Sequence, residues 1–306
     1  MEAAAALHEV LEGYQRPLLF LAHQDDEMGC TWILQHLRER MRVVFMTNGD
    51  GLAPAADEDP IQYADMRKKE ALESLKTAGL EPGQVRFLGY SEIEIYRNLA
   101  KLKLAPLSLS EVIGFFEPVR RSIAEAVCEF RPDAVFTVAY QGGHPEHDLV
   151  HYFASLALRN FQKDVEVQVP LYHFPEYELT ILLPMRFRPW FPGEKHWLEL
   201  TPEEGQTKKK MAECYPSQRD LIRNFRRVVG LLSLPQWFLK RENPVDRFFG
   251  REQISPVPGD FDYRRSPYRL DFLNYVLEDF QGVPISFRDC IRPLVVAWED
   301  DPGKRA

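Results

Sequence analysis

The stretch that most limits what this chain can become is Leu18-Leu19-Phe20-Leu21-Ala22-His23-Gln24-Asp25-Asp26-Glu27, an apolar run that stops at one histidine and three carboxylates. A short run that is apolar at every position suits a strand covered on both faces, as in a parallel sheet, and not the alternating strand of a half-exposed one. The polar cluster then falls at the carboxyl end of that strand. In open α/β sheets, ligands bind at that edge.

The same pattern recurs along the chain. Arg42 to Met46, Gln84 to Leu88, Asp133 to Ala139 and Val165 to Phe174 read as further strands, separated by helical spacing in Met28 to Arg40, Ala64 to Leu80, Ser110 to Phe130 and Pro145 to about Phe161. Strands alternating with helices imply βαβ units, hence an α/β fold with a mostly parallel central sheet. Gly51 to Pro60, rich in Ala, Asp and Pro, reads as a mobile loop at the same edge as the His-Asp cluster. Ser91 to Leu109 has no clean period and reads as a loop or short hairpin near the pocket. Beyond Pro184 the alternation breaks down into an Arg- and aromatic-rich excursion ending near Trp197. Thr201-Pro202-Glu203-Glu204 opens a helix, or pair of helices, expected to run through Leu232. The chain therefore divides into a core over 1–183 and a helical or irregular cover over 184–306 packed on it.

Composition removes several classes of function. A net charge of −8 is the wrong sign for a nucleic-acid footprint, and the short basic clusters Arg67-Lys68-Lys69 and Lys208-Lys209-Lys210 sit in helical patterns as solvated faces. The four cysteines form no CxxC pair, so neither a disulfide framework nor a structural zinc knuckle is expected, and a reducing compartment fits. Residues 1–16 lack the basic start and long apolar centre of a signal peptide, and no stretch approaches the roughly 20 apolar residues of a membrane span. A cytoplasmic protein is expected; a homo-oligomer stays open.

His23 and Asp26 stand three apart at the mouth of the first strand, where a turn can aim both side chains at one point, and imidazole with carboxylate is an ordinary zinc set. The same acids could merely favour the start of the next helix. A second cluster changes the balance: His144, His147 and His151 gather at the end of a different core strand and the start of its helix. Histidines four apart share a helical face.

These two segments resemble the signature of the PIG-L or LmbE-like zinc-dependent N-deacetylases. The family's Ala-His-Pro-Asp-Asp-Glu stands here as Ala22-His23-Gln24-Asp25-Asp26-Glu27, and its His-Pro-Asp-His as His144-Pro145-Glu146-His147. Thr47-Asn48-Gly49, Arg67 with Glu70, Phe87-Leu88-Gly89 and Tyr215-Pro216-Ser217-Gln218 match in order, over roughly residues 17 to 220. The resemblance implies a Rossmann-like three-layer sandwich, with Zn2+ or another divalent metal held by His23, Asp26 and His147. It implies Asp25 as general base and His144 as the group assisting at the oxyanion or the leaving amine, with a small-molecule N-acyl amino sugar as substrate.

Around that set, Arg67, Asn48, Tyr140 and Glu146 are candidate substrate-binding residues. Arg67 would hold a substrate hydroxyl or phosphate, or pair with Glu70 or Asp50; Tyr140 would gate the pocket or pack beneath it. Glu146 and Gln24 replace the family's Asp and Pro. His151 is read as supporting the site or packing, not as a ligand. The expected reaction is removal of an acetyl group from nitrogen, with an amidase on a larger acyl-amide conjugate, or a non-catalytic sugar-binding relative, as alternatives. A nucleotide-binding reading is disfavoured because no GxGxxG follows the first strand.

Overall fold

The structure, a computed structural model, describes residues 2–176, 186–188, 190–219, 249–266 and 274–300. The predicted strands form one continuous block of a larger sheet. β1 (Pro17–Leu21), β2 (Arg42–Thr47), β3 (Val85–Tyr90), β4 (Ala134–Val138) and β5 (Leu171–Phe174) all run parallel to one another. Two later strands, β6 (His196–Glu199) and β7 (Arg251–Pro256), extend it with β7 antiparallel to β5, giving the order β3-β2-β1-β4-β5-β7-β6. β1 and β4 are buried at every position, as the apolar run of β1 and the apolar residues around Thr137 in β4 require. Edge-ward β3 is only partly covered.

Helices cover both faces. On one side α1 (Glu2–Gly13) touches α2 (Thr31–Leu37), which packs on α8 (Pro202–Glu213), which in turn lies against α4 (Pro60–Thr77). On the other, α5 (Glu92–Leu104) packs on α6 (Leu109–Phe130), which packs on α7 (Pro145–Val165), with α9 (Arg292–Asp300) against α6. This is the three-layer α/β sandwich with its mostly parallel sheet. The chain order reverses between β1 and β4, so the loops after these two strands diverge and leave a crevice, the topological switch point at which such sheets take ligands. The His23 segment leaves β1 and the His144 segment leaves β4.

Two expectations fail for identifiable reasons. Ser91 to Leu109 is not a loop: Ser91 caps α5 by accepting the Glu94 N–H at 3.2 Å, and Ile95, Leu99 and Leu102 form its buried stripe. Arg97, Lys101 and Lys103 interleave with that stripe and obscure its period in the sequence. Gly51 to Pro60 is not irregular throughout; it holds a single-turn helix α3 (Ala53–Ala56), and Asp59 then caps α4 with Pro60 in its first turn. The helix from Thr201 opens with a reciprocal capping box to Glu204 and ends at Glu213; the expected continuation or second helix through Leu232 falls on 220–248, outside the described residues. The fifth strand is confined to Leu171–Phe174 because α7 continues to Val165. C-terminal to the core, β8 (Asn274–Phe280) and β9 (Val283–Ser286) form a separate hairpin that packs on α5. No described helix is long and apolar enough to cross a membrane.

Candidate active site

The two predicted segments meet. His147 Nε2, in the first turn of α7, lies 3.0 Å from Asp26 Oδ1 and 3.1 Å from His23 Nδ1, and the last two atoms are 3.5 Å apart. Asp26 is fixed from below by β1: its Oδ2 accepts the N–H groups of Ala22 at 2.9 Å and His23 at 2.8 Å. The other nitrogen of His23 lies 2.7 Å from Glu146 Oε2, so Glu146 orients this imidazole while His147, next in sequence, faces its opposite side.

This triangle fits a cation and does not fit protons. A ring nitrogen has one in-plane position, as donor or acceptor, so His147 Nε2 can satisfy only one of its two short contacts. A divalent ion accepts all three lone pairs at once, and tetrahedral zinc with bonds of ~2.0–2.1 Å holds its ligand atoms ~3.3 Å apart. The electrostatics agree. Burial alone would lower His23, yet the carboxylates of Asp26, Glu92 and Glu146 overcome it and hold the ring well above its ordinary pKa. Burial would raise Asp26, and His147 and His23 instead hold it well below the carboxylate range. The negative field that stabilises an imidazolium here would equally stabilise a metal. Ring nitrogens of His23, His144 and His147 lie within 4.8 Å of one another, as do ligand atoms of His23, Glu92 and Glu146.

Asp25 stands beside this set without joining it. Its backbone has φ 126°, outside the regions open to most L-residues. Asp25 Oδ2 is 3.1 Å from Arg67, and burial pushes its carboxyl up to about 7 against the pull of that guanidinium. Arg67, read as a substrate contact or a partner of Glu70 or Asp50, is 3% exposed and takes the Glu70 pairing: it contacts Glu70 at 3.3 Å and Ser217 at 3.2 Å and donates to the Gln24 carbonyl. It buttresses Asp25. The Tyr215-to-Gln218 match also acquires a physical meaning. Tyr215 and Ser74 donate to Glu27, Ser217 donates to Glu70, and Gln218 reaches Tyr63, tying the segment after α8 to the motif after β1.

Near the same edge, Gly49 turns the chain with φ 80°, and a Cβ there would lie 2.9 Å from the Arg67 Cβ and 2.5 Å from Gln24 Oε1. Only glycine permits both the turn and the approach. Asn48 spends its amide on Asp50, accepting its N–H and donating to its carboxylate, each at 3.1 Å. Its side chain shapes the turn.

His144 caps α7, its Nδ1 accepting the Glu146 N–H at 3.3 Å. That bond places the ring proton on Nε2. Burial, with His23 and His147 nearby, holds its pKa well below the usual histidine range. The ring is thus neutral and offers an Nε2–H donor. Tyr140 resolves toward packing: it is fully buried, and its hydroxyl donates to the Tyr263 carbonyl at 2.9 Å. It cannot gate a pocket.

His151 is likewise structural, donating from Nδ1 to the Val138 carbonyl at 2.8 Å and lying 3.1 Å from the Tyr263 hydroxyl. Burial lowers its pKa to about 4. The unfolded chain takes up a proton near 6.5 and the folded one only near 4, so this neutral histidine stabilises the fold fully above 6.5 and loses that contribution between 6.5 and 4. The loss is on the order of 3 kcal/mol. Urea denaturation of wild type and His151→Gln across that window should show a steeper acid loss in the wild type; parallel curves would contradict it.

Sequence reasoning missed Glu92, whose carboxylate is held by the Thr47 hydroxyl at 2.7 Å and the Gly51 N–H at 3.1 Å, and also Tyr96 and Glu278. The cap at Ser91 is a signal that could have started α5 and put Glu92 in its first turn. Nothing local points to Glu278.

Comparison with known proteins follows the same lines. The family model described as PIG-L, GlcNAc-PI de-N-acetylase, matches residues 18–158. Among solved structures, a deacetylase triple mutant of the teicoplanin biosynthetic pathway is 18% identical with a TM-score of 0.54, covering 81% of this chain and 100% of its own. The zinc-inhibited form of teicoplanin deacetylase is 15% identical with a TM-score of 0.53, covering 81% and 100%. N,N'-diacetylchitobiose deacetylase from Pyrococcus horikoshii is 18% identical with a TM-score of 0.54, covering 88% and 96%. At such identities the likeness is one of fold. No curated sequence matches. Residues 18–158, with both motifs inside them, are a PIG-L (LmbE-like) family domain.

Proposed function

We propose that this protein is a metal-dependent N-deacetylase that hydrolyses the N-acetyl group of an amino-sugar-containing small molecule. The observation that carries the reading is the convergence of His23, Asp26 and His147 on one point, with the Arg67-paired carboxylate of Asp25 and the neutral imidazole of His144 beside it. Zn2+ held by those three residues would polarise the amide carbonyl and bring the pKa of a water to about 7; another divalent ion fits the same donors.

The chain's own residues supply the rest. Asp25 accepts the proton of the attacking water, and a carboxyl near 7 is matched to that task at neutral pH. Arg67 keeps it in place. The Nε2–H of His144, whose acceptor in the free protein is the Tyr96 oxygen 3.1 Å away, shifts to the oxygen on which negative charge develops. The water oxygen bonds to the carbonyl carbon, the C–N bond breaks, and the proton held by Asp25 passes to the departing nitrogen. Acetate and a free amine leave. The amino-sugar substrate class rests on the family domain and on the printed names of the structural neighbours. We read residues 184–306 as an extension of the 1–183 core that shapes the pocket, and the site as working in the cytoplasm.

The test is direct. Protein loaded with zinc and offered N-acetylglucosamine derivatives, including chito-oligosaccharides, should release acetate and amine in equal amounts, and chelation should stop it. Stoichiometric zinc with no amine from any N-acetyl amino sugar would refute the reading.

A further inference from the structure

His144 is reached from a part of the chain that the family domain does not include. Glu278, on β8, puts Oε1 3.4 Å from His144 Nε2, and its other oxygen accepts the hydroxyl proton of Tyr96 from α5. The Tyr96 oxygen is itself 3.1 Å from His144 Nε2. Three residues from α5, α7 and the β8–β9 hairpin thus close a small ring of polar contacts beside the metal-type triangle. All three side chains are largely covered, His144 at 12% and Glu278 at 19% exposure.

The proton directions in this ring are fixed by chemistry. His144 Nδ1 is committed as an acceptor to the Glu146 N–H, so Nε2 must carry the proton. Burial pushes the Glu278 carboxyl up to about 7; ionised above that pH, it has only acceptors and draws the Tyr96 proton to itself. The Tyr96 oxygen can then meet Nε2–H only as an acceptor. Without Glu278, the Tyr96 proton is free to swing toward Nε2, where it would oppose the N–H.

We propose that Glu278 and Tyr96 are positioning residues that hold His144 in its Nε2–H tautomer and fix its ring, so that the C-terminal hairpin completes the site. The proposal rests on the deacetylase reading for its kinetic consequence only. Glu278 acts through His144 and is not itself assigned to the reacting atoms.

The substitution Glu278→Gln is diagnostic because glutamine offers one acceptor and one donor where two acceptors are used. The zinc-loaded variant should lose about 10- to 100-fold in kcat, the range for residues that orient an active-site imidazole. KM should stay within about threefold, because the group affected acts on developing charge and not on ground-state binding. The second readout needs no substrate: nitrogen-15 NMR of the ring nitrogens of His144 in metal-free protein should show the Nε2–H tautomer in wild type and its partial loss in Glu278→Gln and in Tyr96→Phe. Tyr96→Phe also guards against misfolding of the hairpin variant. Unchanged kcat in both variants, or an unchanged His144 signal, overturns the proposal. A wild type that releases no amine would sink the deacetylase reading alone, and the NMR signal would still decide the positioning.

Discussion

Replacing Asp25 by asparagine should leave the protein folded and metal-loaded while lowering deacetylation by about 10²–10⁴-fold, the usual contribution of a positioned base. Asparagine is the right substitution because the position has φ 126°, and Asn tolerates positive φ better than most residues. It keeps the shape and an acceptor for Arg67 but cannot take a proton. Arg67 retains Glu70, Ser217 and the Gln24 carbonyl, so the guanidinium is not stranded. The paired measurements are metal content by elemental analysis and acetate release. Full activity would remove Asp25 as base; lost metal would make it a ligand.

His147→Ala should separate the other way. Of the three atoms in the triangle, His147 Nε2 makes both of the shortest contacts, so its removal leaves two donors where three are needed to hold an ion with an open position. Metal content after dialysis should fall from near one per chain to about a tenth or less, with activity falling in proportion, because a missing ligand costs more than the 10–100-fold of a missing supporting residue. The fold should persist, since α7 is held by its long buried face, from Leu149 to Phe161, and not by this ring. Undiminished zinc would take His147 out of the site. Together the two variants distinguish loss of the metal from loss of the base, which a single inactive mutant cannot.

How much of this was legible in the sequence depends on the range of the interaction. The β1 and β4 strands are fully buried and announce themselves by short apolar runs, broken in β4 only by Thr137, and each ends in its polar motif within a few positions. The switch-point site follows from that order. α5 was missed because its buried stripe is interrupted by basic residues, and the roles of Arg67 and Tyr140 were open because a side chain's partner is not written beside it. Arg67 turns inward to Asp25, and Tyr140 turns into an aromatic cluster with Phe261 and Tyr263.

The amino-acid order by itself therefore determined the parallel α/β core and the two histidine and carboxylate segments, because burial and strand periodicity act over a few neighbouring residues. Only the tertiary structure decided which atoms converge: the His147 contact with Asp26 across 121 positions, the neutral state of His144, and the arrival of Glu278 beside it. Those depend on crossovers that bring distant strand ends together and on the desolvation that follows, and neither is encoded in any local stretch.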